Sequence, residues 1–177
     1  MLHNLISAQE KFRDAAYVDE DSDGVGEFGG LAELMGRLEQ RGSDGAGPLL
    51  VLPRPIDRGR MLRRGYYYRM YLPRRGGGLI AERADGGFAK GDVDPDRAET
   101  MWCLYAWPIE EQYAGQRTFF VSSEGDVVAT GWYGGSESIA GGYAAEYEPA
   151  PRAAEGPDGK LAATATGRDG RFWRQTG

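Results

Sequence analysis

The sequence predicts an α+β domain: an N-terminal helix packed on a small antiparallel β-sheet, followed by a C-terminal extension. Three observations predict it. Apolar residues recur at helical spacing only near the start of the chain. Aromatic and β-branched runs bounded by Gly, Pro and Ser fill its middle. Between them there is none of the strand–helix–strand alternation that a parallel sheet requires. The 177 residues suffice for one domain with its own core.

Each element follows from local pattern. Over 2–16, Leu2, Leu5, Ile6, Gln9, Phe12 and Ala16 share one helical face. A second short helix is expected over 31–41, with Leu31, Leu34, Met35 and Leu38 on one face and Gly42-Ser43-Asp44-Gly45 ending it. Residues 48–64 are rich in Pro and Arg and are expected to be irregular. Strand signals begin after Gly65: the run 66–72 closes at Pro73, with Tyr66, Tyr68 and Met70 facing one way and Tyr67, Arg69 and Tyr71 the other. Residues 74–99 are glycine-rich and charged and read as a long loop. The run 101–107 reads as a buried strand ending at Pro108. Runs 117–122 and 126–130 flank Ser123-Glu124-Gly125-Asp126, a hairpin signal. Three or four antiparallel strands are thus expected within a domain spanning 1–133. Residues 134–177 form a Gly/Ala-rich extension, with a linker over 148–157 and a final hairpin pairing 161–166 with 171–175.

The most informative stretch chemically is Asp19-Glu20-Asp21-Ser22-Asp23-Gly24-Val25-Gly26-Glu27. Alternate carboxylates on a turning loop point inward together, and hard oxygen ligands suit Ca²⁺ better than Mg²⁺ when they are this dense. Aligned with an EF-hand loop, Asp19, Asp21 and Asp23 take positions 1, 3 and 5. Gly24 takes 6, the Val25 carbonyl 7 and Glu27 9, but position 12 is Gly30 rather than a bidentate glutamate. Glu33 could close the site from the second helix. The expected metal ligands are therefore Asp19, Asp21, Asp23, Val25 and Glu27, as a structural clip rather than a sensor. The bland alternative is a solvated acidic turn between helices.

Composition excludes several chemistries. The single histidine, His3, and the single cysteine, Cys103, leave no Ser-His-Asp or Cys-His triad away from the terminus and no His/Cys zinc cluster. Cys103 sits in an apolar run and reads as a buried, inert thiol. Gly24-Val25-Gly26 does not follow a strand, so it is no dinucleotide fingerprint. Carboxylate pairs such as Glu110-Glu111 or Asp92, Asp94 and Asp96 fall in expected loops, and no enzyme activity is expected. The net charge is −6 and uneven: residues 54–75 carry eight arginines against Asp57. That basic, tyrosine-rich stretch could suggest nucleic acid, but the acidic remainder would repel phosphate, so docking on acidic protein subunits is expected instead. Trp102, Trp107, Trp132 and Tyr133 read as core, with a sugar-stacking platform as the alternative. No run approaches the ~20 apolar residues of a membrane span. No signal peptide is expected, because polar residues interrupt 1–16.

The order of helix, acidic loop, small helix and meander resembles the globular part of type IV pilins and pseudopilins. The resemblance is carried by Gly65-Tyr66-Tyr67-Tyr68-Arg69, by Ala106-Trp107-Pro108, and by Gly115-Gln116-Arg117-Thr118-Phe119-Phe120-Val121 followed by Glu124-Gly125. It covers roughly residues 1–131. The family's prepilin cleavage site and long hydrophobic helix have no counterpart here, and residues 2–16 correspond to the soluble half of that helix. The resemblance implies a non-enzymatic structural or interaction protein of a cell-surface filament or secretion assembly, at the cell surface or in the extracellular or periplasmic space. It also implies partners among other protein subunits, self-assembly included, and a calcium-stabilised loop. A soluble glycan- or protein-binding module is the alternative, and a cytoplasmic location stays open.

Overall fold

The computed structural model describes residues 1–36, 41, 56–108, 117–130, 165–167 and 172–176. Among these, three helices and nine strands form one mixed α+β structure with a single antiparallel sheet. Helix α1 (Leu2–Asp14) buries Leu5, Gln9 and Phe12 of the expected face, with Ala8 beside them; Leu2 and Ile6 are half-buried, and Ala16 is exposed beyond the helix end. It stops two residues earlier than expected, because Ala16 turns into the left-handed region (φ 47°) and its N–H donates to the Arg13 carbonyl. The chain then returns beneath the helix in extended form. Gln9 holds it there through both ends of its amide, donating to the Gly29 carbonyl at 2.7 Å and accepting from Gly29 N–H at 3.0 Å. A side chain at Gly29 would strike the Phe12 ring.

Helix α2 (Leu31–Leu34) is far shorter than the helix expected over 31–41: Gly36 at φ +61° ends the described part. Residues 37–40 and 42–55 lie outside the described residues. The stretch expected to be irregular, 48–64, instead contains strands β1 (Ile56–Asp57) and β2 (Arg60–Arg63). They are joined by a tight turn at Arg58-Gly59, and a second such turn at Arg64-Gly65 leads into β3 (Tyr66–Pro73). Both turns pair a residue with φ near +50° with a glycine at positive φ, the backbone of two-residue hairpins whose twist matches the strands they join. Arginine at the first position disguises the signal. The expected long loop 74–99 likewise contains β4 (Leu79–Ala81) and helix α3 (Pro95–Ala98). Strands β5 (Cys103–Pro108), β6 (Phe119–Ser122) and β7 (Val127–Thr130) follow as the sequence pattern predicts.

The C-terminal hairpin also forms, with β8 (Ala165–Thr166) paired to β9 (Phe172–Gln175), but it is not an appendage. Strand β9 pairs with β7, and Trp173 is fully buried against Tyr105. The sheet order is β1-β2-β3-β5-β6-β7-β9-β8, with β4 on the same flank of β3 as β2. The expected boundary at 133/134 and the linker 148–157 lie outside the described residues.

The two faces of the sheet carry two cores, and the period of two along β3 and β5 divides them. Tyr68, Met70, Leu72, Leu104, Ala106 and Val121 join Leu5, Phe12, Leu31 and Leu34 of the helices. Tyr71, Cys103, Tyr105, Trp107, Phe120, Val128 and Trp173 form the other cluster. Trp102 and Trp107 are core residues, 3% and 0% exposed, so neither offers a face to a sugar; Trp132 and Tyr133 lie outside the described residues. The buried Cys103 thiol has its pKa pushed far up by burial, which keeps it protonated. Two arginines of the basic stretch lie against rings, Arg60 over Tyr67 at 4.7 Å and Arg69 over Tyr71 at 5.9 Å, while Arg58, Arg64, Arg74 and Arg75 are exposed. Among the described residues no helix is long and apolar enough to cross a membrane.

Candidate metal centre

The acidic loop begins where α1 ends and is shaped by its own carboxylates. Asp19 accepts from Asp23 N–H on one oxygen and from Gly24 N–H on the other, both at 3.1 Å. Asp23 accepts from Val25 N–H at 2.8 Å. These side chain to backbone bonds stand in for turn hydrogen bonds. Gly24 at φ +92° supplies a conformation that a side chain would resist. The result draws Asp19, Asp21 and Asp23 together, with carboxylate oxygens within 4.8 Å of one another.

A second group shares Asp21: one oxygen each from Asp21, Asp96 and Glu99 also lie within 4.8 Å. Asp96 and Glu99 come from α3 and its C-cap, which Asp94 starts by accepting Arg97 N–H at 3.2 Å. The backbone brings this helix to the loop through Phe28 N–H, which donates to the Ala98 carbonyl at 2.8 Å. The Asp21 carboxyl is held above its ordinary range, first by partial loss of water and then by Asp23, Asp19 and Asp96, against a backbone bond from Asp23 that lowers it. The Glu99 carboxyl is raised by desolvation and by Asp23, Asp21, Asp96 and Asp19 in turn. One Glu99 oxygen is buried with no hydrogen-bond partner. Crowded, raised carboxyls with an orphaned oxygen are the donor set that an oxygen-loving cation would relieve, so the residues fit Ca²⁺.

The remaining expected ligands sit differently. Val25 is exposed, and its N–H is tied to Asp23. Glu27 turns inward and is fully buried; one oxygen accepts from Glu20 N–H at 2.7 Å and the other from Arg41 at 3.0 Å. It does not join the acidic groups at the surface. Glu33, the candidate for closing the loop, is committed as well. It accepts from Gly30 N–H at 2.6 Å and from Arg41 Nε at 3.0 Å. Sequence reasoning missed Asp96 and Glu99 as partners of the loop. The signal was present in Asp94-Pro95, an N-cap residue followed by proline at the first helical position, but nothing local says which surface that helix meets. Glu110 and Glu111 lie outside the described residues.

Comparison of the chain with known proteins found no matching family model, no matching curated protein and no matching solved structure.

Proposed function

We propose that this protein is a non-enzymatic structural and interaction domain, resembling a pilin or pseudopilin subunit of a cell-surface filament or secretion assembly, and that Ca²⁺ staples its acidic loop to α3. The observation that carries the reading is that Asp21 is shared by two carboxylate groups, Asp19-Asp21-Asp23 in the loop after α1 and Asp21-Asp96-Glu99 with α3. In this reading α3 supplies the carboxylates that the loop lacks at its own twelfth position. Asp21, shared by both groups, is the central ligand. A bound cation would cancel the mutual repulsion of the acids and fasten two segments some seventy residues apart. It would do no chemistry on a substrate. The arginines of 58–75 supply positive charge for docking on acidic neighbouring subunits.

Two measurements test this. Millimolar Ca²⁺ is expected to raise the melting temperature of the wild type and to leave Asp21→Ala unmoved; an unmoved wild type would remove the metal. Analytical ultracentrifugation with and without Ca²⁺, together with imaging of native particles containing the chain, tests the assembly reading. A monomer at all concentrations that is found in no native particle would remove it.

A further inference from the structure

Inward of the exposed acids, three carboxyl groups are buried, and one cation serves two of them. Glu27, Glu33 and Glu82 are 0%, 2% and 1% exposed. Arg41 spends its whole guanidinium on the first two and on the backbone: Nη1 donates to Glu27, Nε to Glu33 and Nη2 to the Phe28 carbonyl, each at 3.0 Å. Among the described residues Glu82 receives no cation. One of its oxygens, Oε1, accepts from Ala32 N–H in α2 and from Gly87 N–H in the turn after β4, both at 3.1 Å. Its other oxygen, Oε2, is buried without a partner.

The other charged groups near Glu82 do not change that count. Glu33 on α2 opposes its ionisation. Arg69 on β3 donates to the Glu82 main-chain carbonyl, at 3.4 Å, not to its carboxyl. Arg60 on β2 lies over the Tyr67 ring. A buried ionised carboxylate with one orphaned oxygen is costly, whereas a neutral carboxyl in the same place keeps Oε1 as acceptor and carries its proton on Oε2.

We propose that Glu82 is a proton-operated latch: protonated, it clasps α2 to the Gly86-Gly87 turn, and on ionisation it loosens that joint. The place is strategic. The Glu82 main chain pairs with Met70 of β3 and packs against Gly59 of the β1–β2 turn, where a side chain would strike the Glu82 carbonyl. One proton therefore acts where the second helix, the β4 flank and the first hairpin converge. Burial lifts the carboxyl to about 7, against the lowering effect of the Ala32 and Gly87 donors and, less, of Leu31 N–H, and with a further rise from Glu33, so the switch lies near neutral pH. The joint shares no residue with the acidic groups proposed to hold calcium.

The test is a carbon-13 titration of the glutamate carboxyls in the full chain, with amide exchange measured at Ala32 and Gly87 at pH 5.5 and 8.5 and corrected for base catalysis. Glu82 is expected to titrate near pH 7, and exchange at both amides to quicken by about tenfold across that range. In Glu82→Gln, which keeps an acceptor and cannot ionise, exchange should become independent of pH. A Glu82 midpoint below pH 5 overturns the proposal. So does amide protection that ignores its titration, or wild-type pH dependence persisting in Glu82→Gln. Should that variant fail to fold, the wild-type titration and its two reporter amides decide the matter alone.

Discussion

The acidic loop and the buried carboxyl cluster are made of the same functional group, and Asp21 stands only six residues from Glu27. At the surface, Asp19, Asp21, Asp23, Asp96 and Glu99 crowd together with like charge. Inside, Glu27 and Glu33 are each matched to Arg41, and Glu82 to backbone N–H groups. Water can screen the first group and an ion can enter it. The second must balance its charge with protein groups or with a proton. Crowded acids thus read as a candidate cation site only where solvent reaches them. The same acids a few residues on read as architecture.

The comparison breaks most sharply at Arg41. Arg41→Met strands two buried carboxylates and is expected to cost about 3–5 kcal/mol in denaturant unfolding. Adding Glu27→Gln and Glu33→Gln should return part of that loss. A loss near zero would mean that the cluster is not paired as described.

Next in size is the pH response of Glu82. Its carboxyl ionises near 4.5 when unfolded and about 7 when folded, so between those values the folded state holds the extra proton. Stability attributable to this group is therefore greatest below the unfolded value, falls as pH rises through the window, and levels off above it. The full swing is on the order of 3 kcal/mol, read as the difference in wild-type unfolding free energy that Glu82→Gln abolishes.

Calcium comes third. At a hundredfold excess over its dissociation constant a cation would add about 2.7 kcal/mol, a rise on the order of 5–10 °C in melting temperature that Asp21→Ala removes. The smallest effect is expected at the exposed Arg13–Asp14 pair, 2.8 Å apart with the Asp14 side chain 65% exposed. Asp14→Asn should change stability by less than about 0.5 kcal/mol. A larger loss would show that exposure is a poor guide to which carboxylates matter here.

Much of the frame was legible in the sequence because it rests on local period. The spacing of Leu2, Leu5, Ile6, Gln9 and Phe12 announces α1, and the alternation of β3 and β5 assigns Met70 and Tyr71 to opposite cores. Strands β6 and β7 follow from their turn. The misread segments are those where local preference was weak. Strand β2 is held by pairing to β3, and β1 by pairing to β2, rather than by composition. Helix α3 is one turn long and depends on its Asp94 cap and on Ala98 meeting Phe28. In the candidate site, Asp19, Asp21 and Asp23 were legible because their spacing alone curls the loop. Asp96 and Glu99 were not, because no pattern encodes which surface a distant helix will meet.

By itself, then, the sequence determined where the first helix runs, which way the aromatic strands face, that Cys103 is an inert core thiol and that an acidic turn follows the helix. Each of these depends on residues within a few positions of one another. Only the tertiary structure decided that Glu27 leaves that turn for the interior, that α3 brings its own acids to the loop, and that Glu82 is buried without a cation. These depend on contacts between residues 14 to 78 positions apart, among them Glu27 with Arg41, Ala32 with Glu82 and Asp21 with Glu99. A carboxylate's role follows from which charges and donors surround it after folding, and the chain around it does not carry that information.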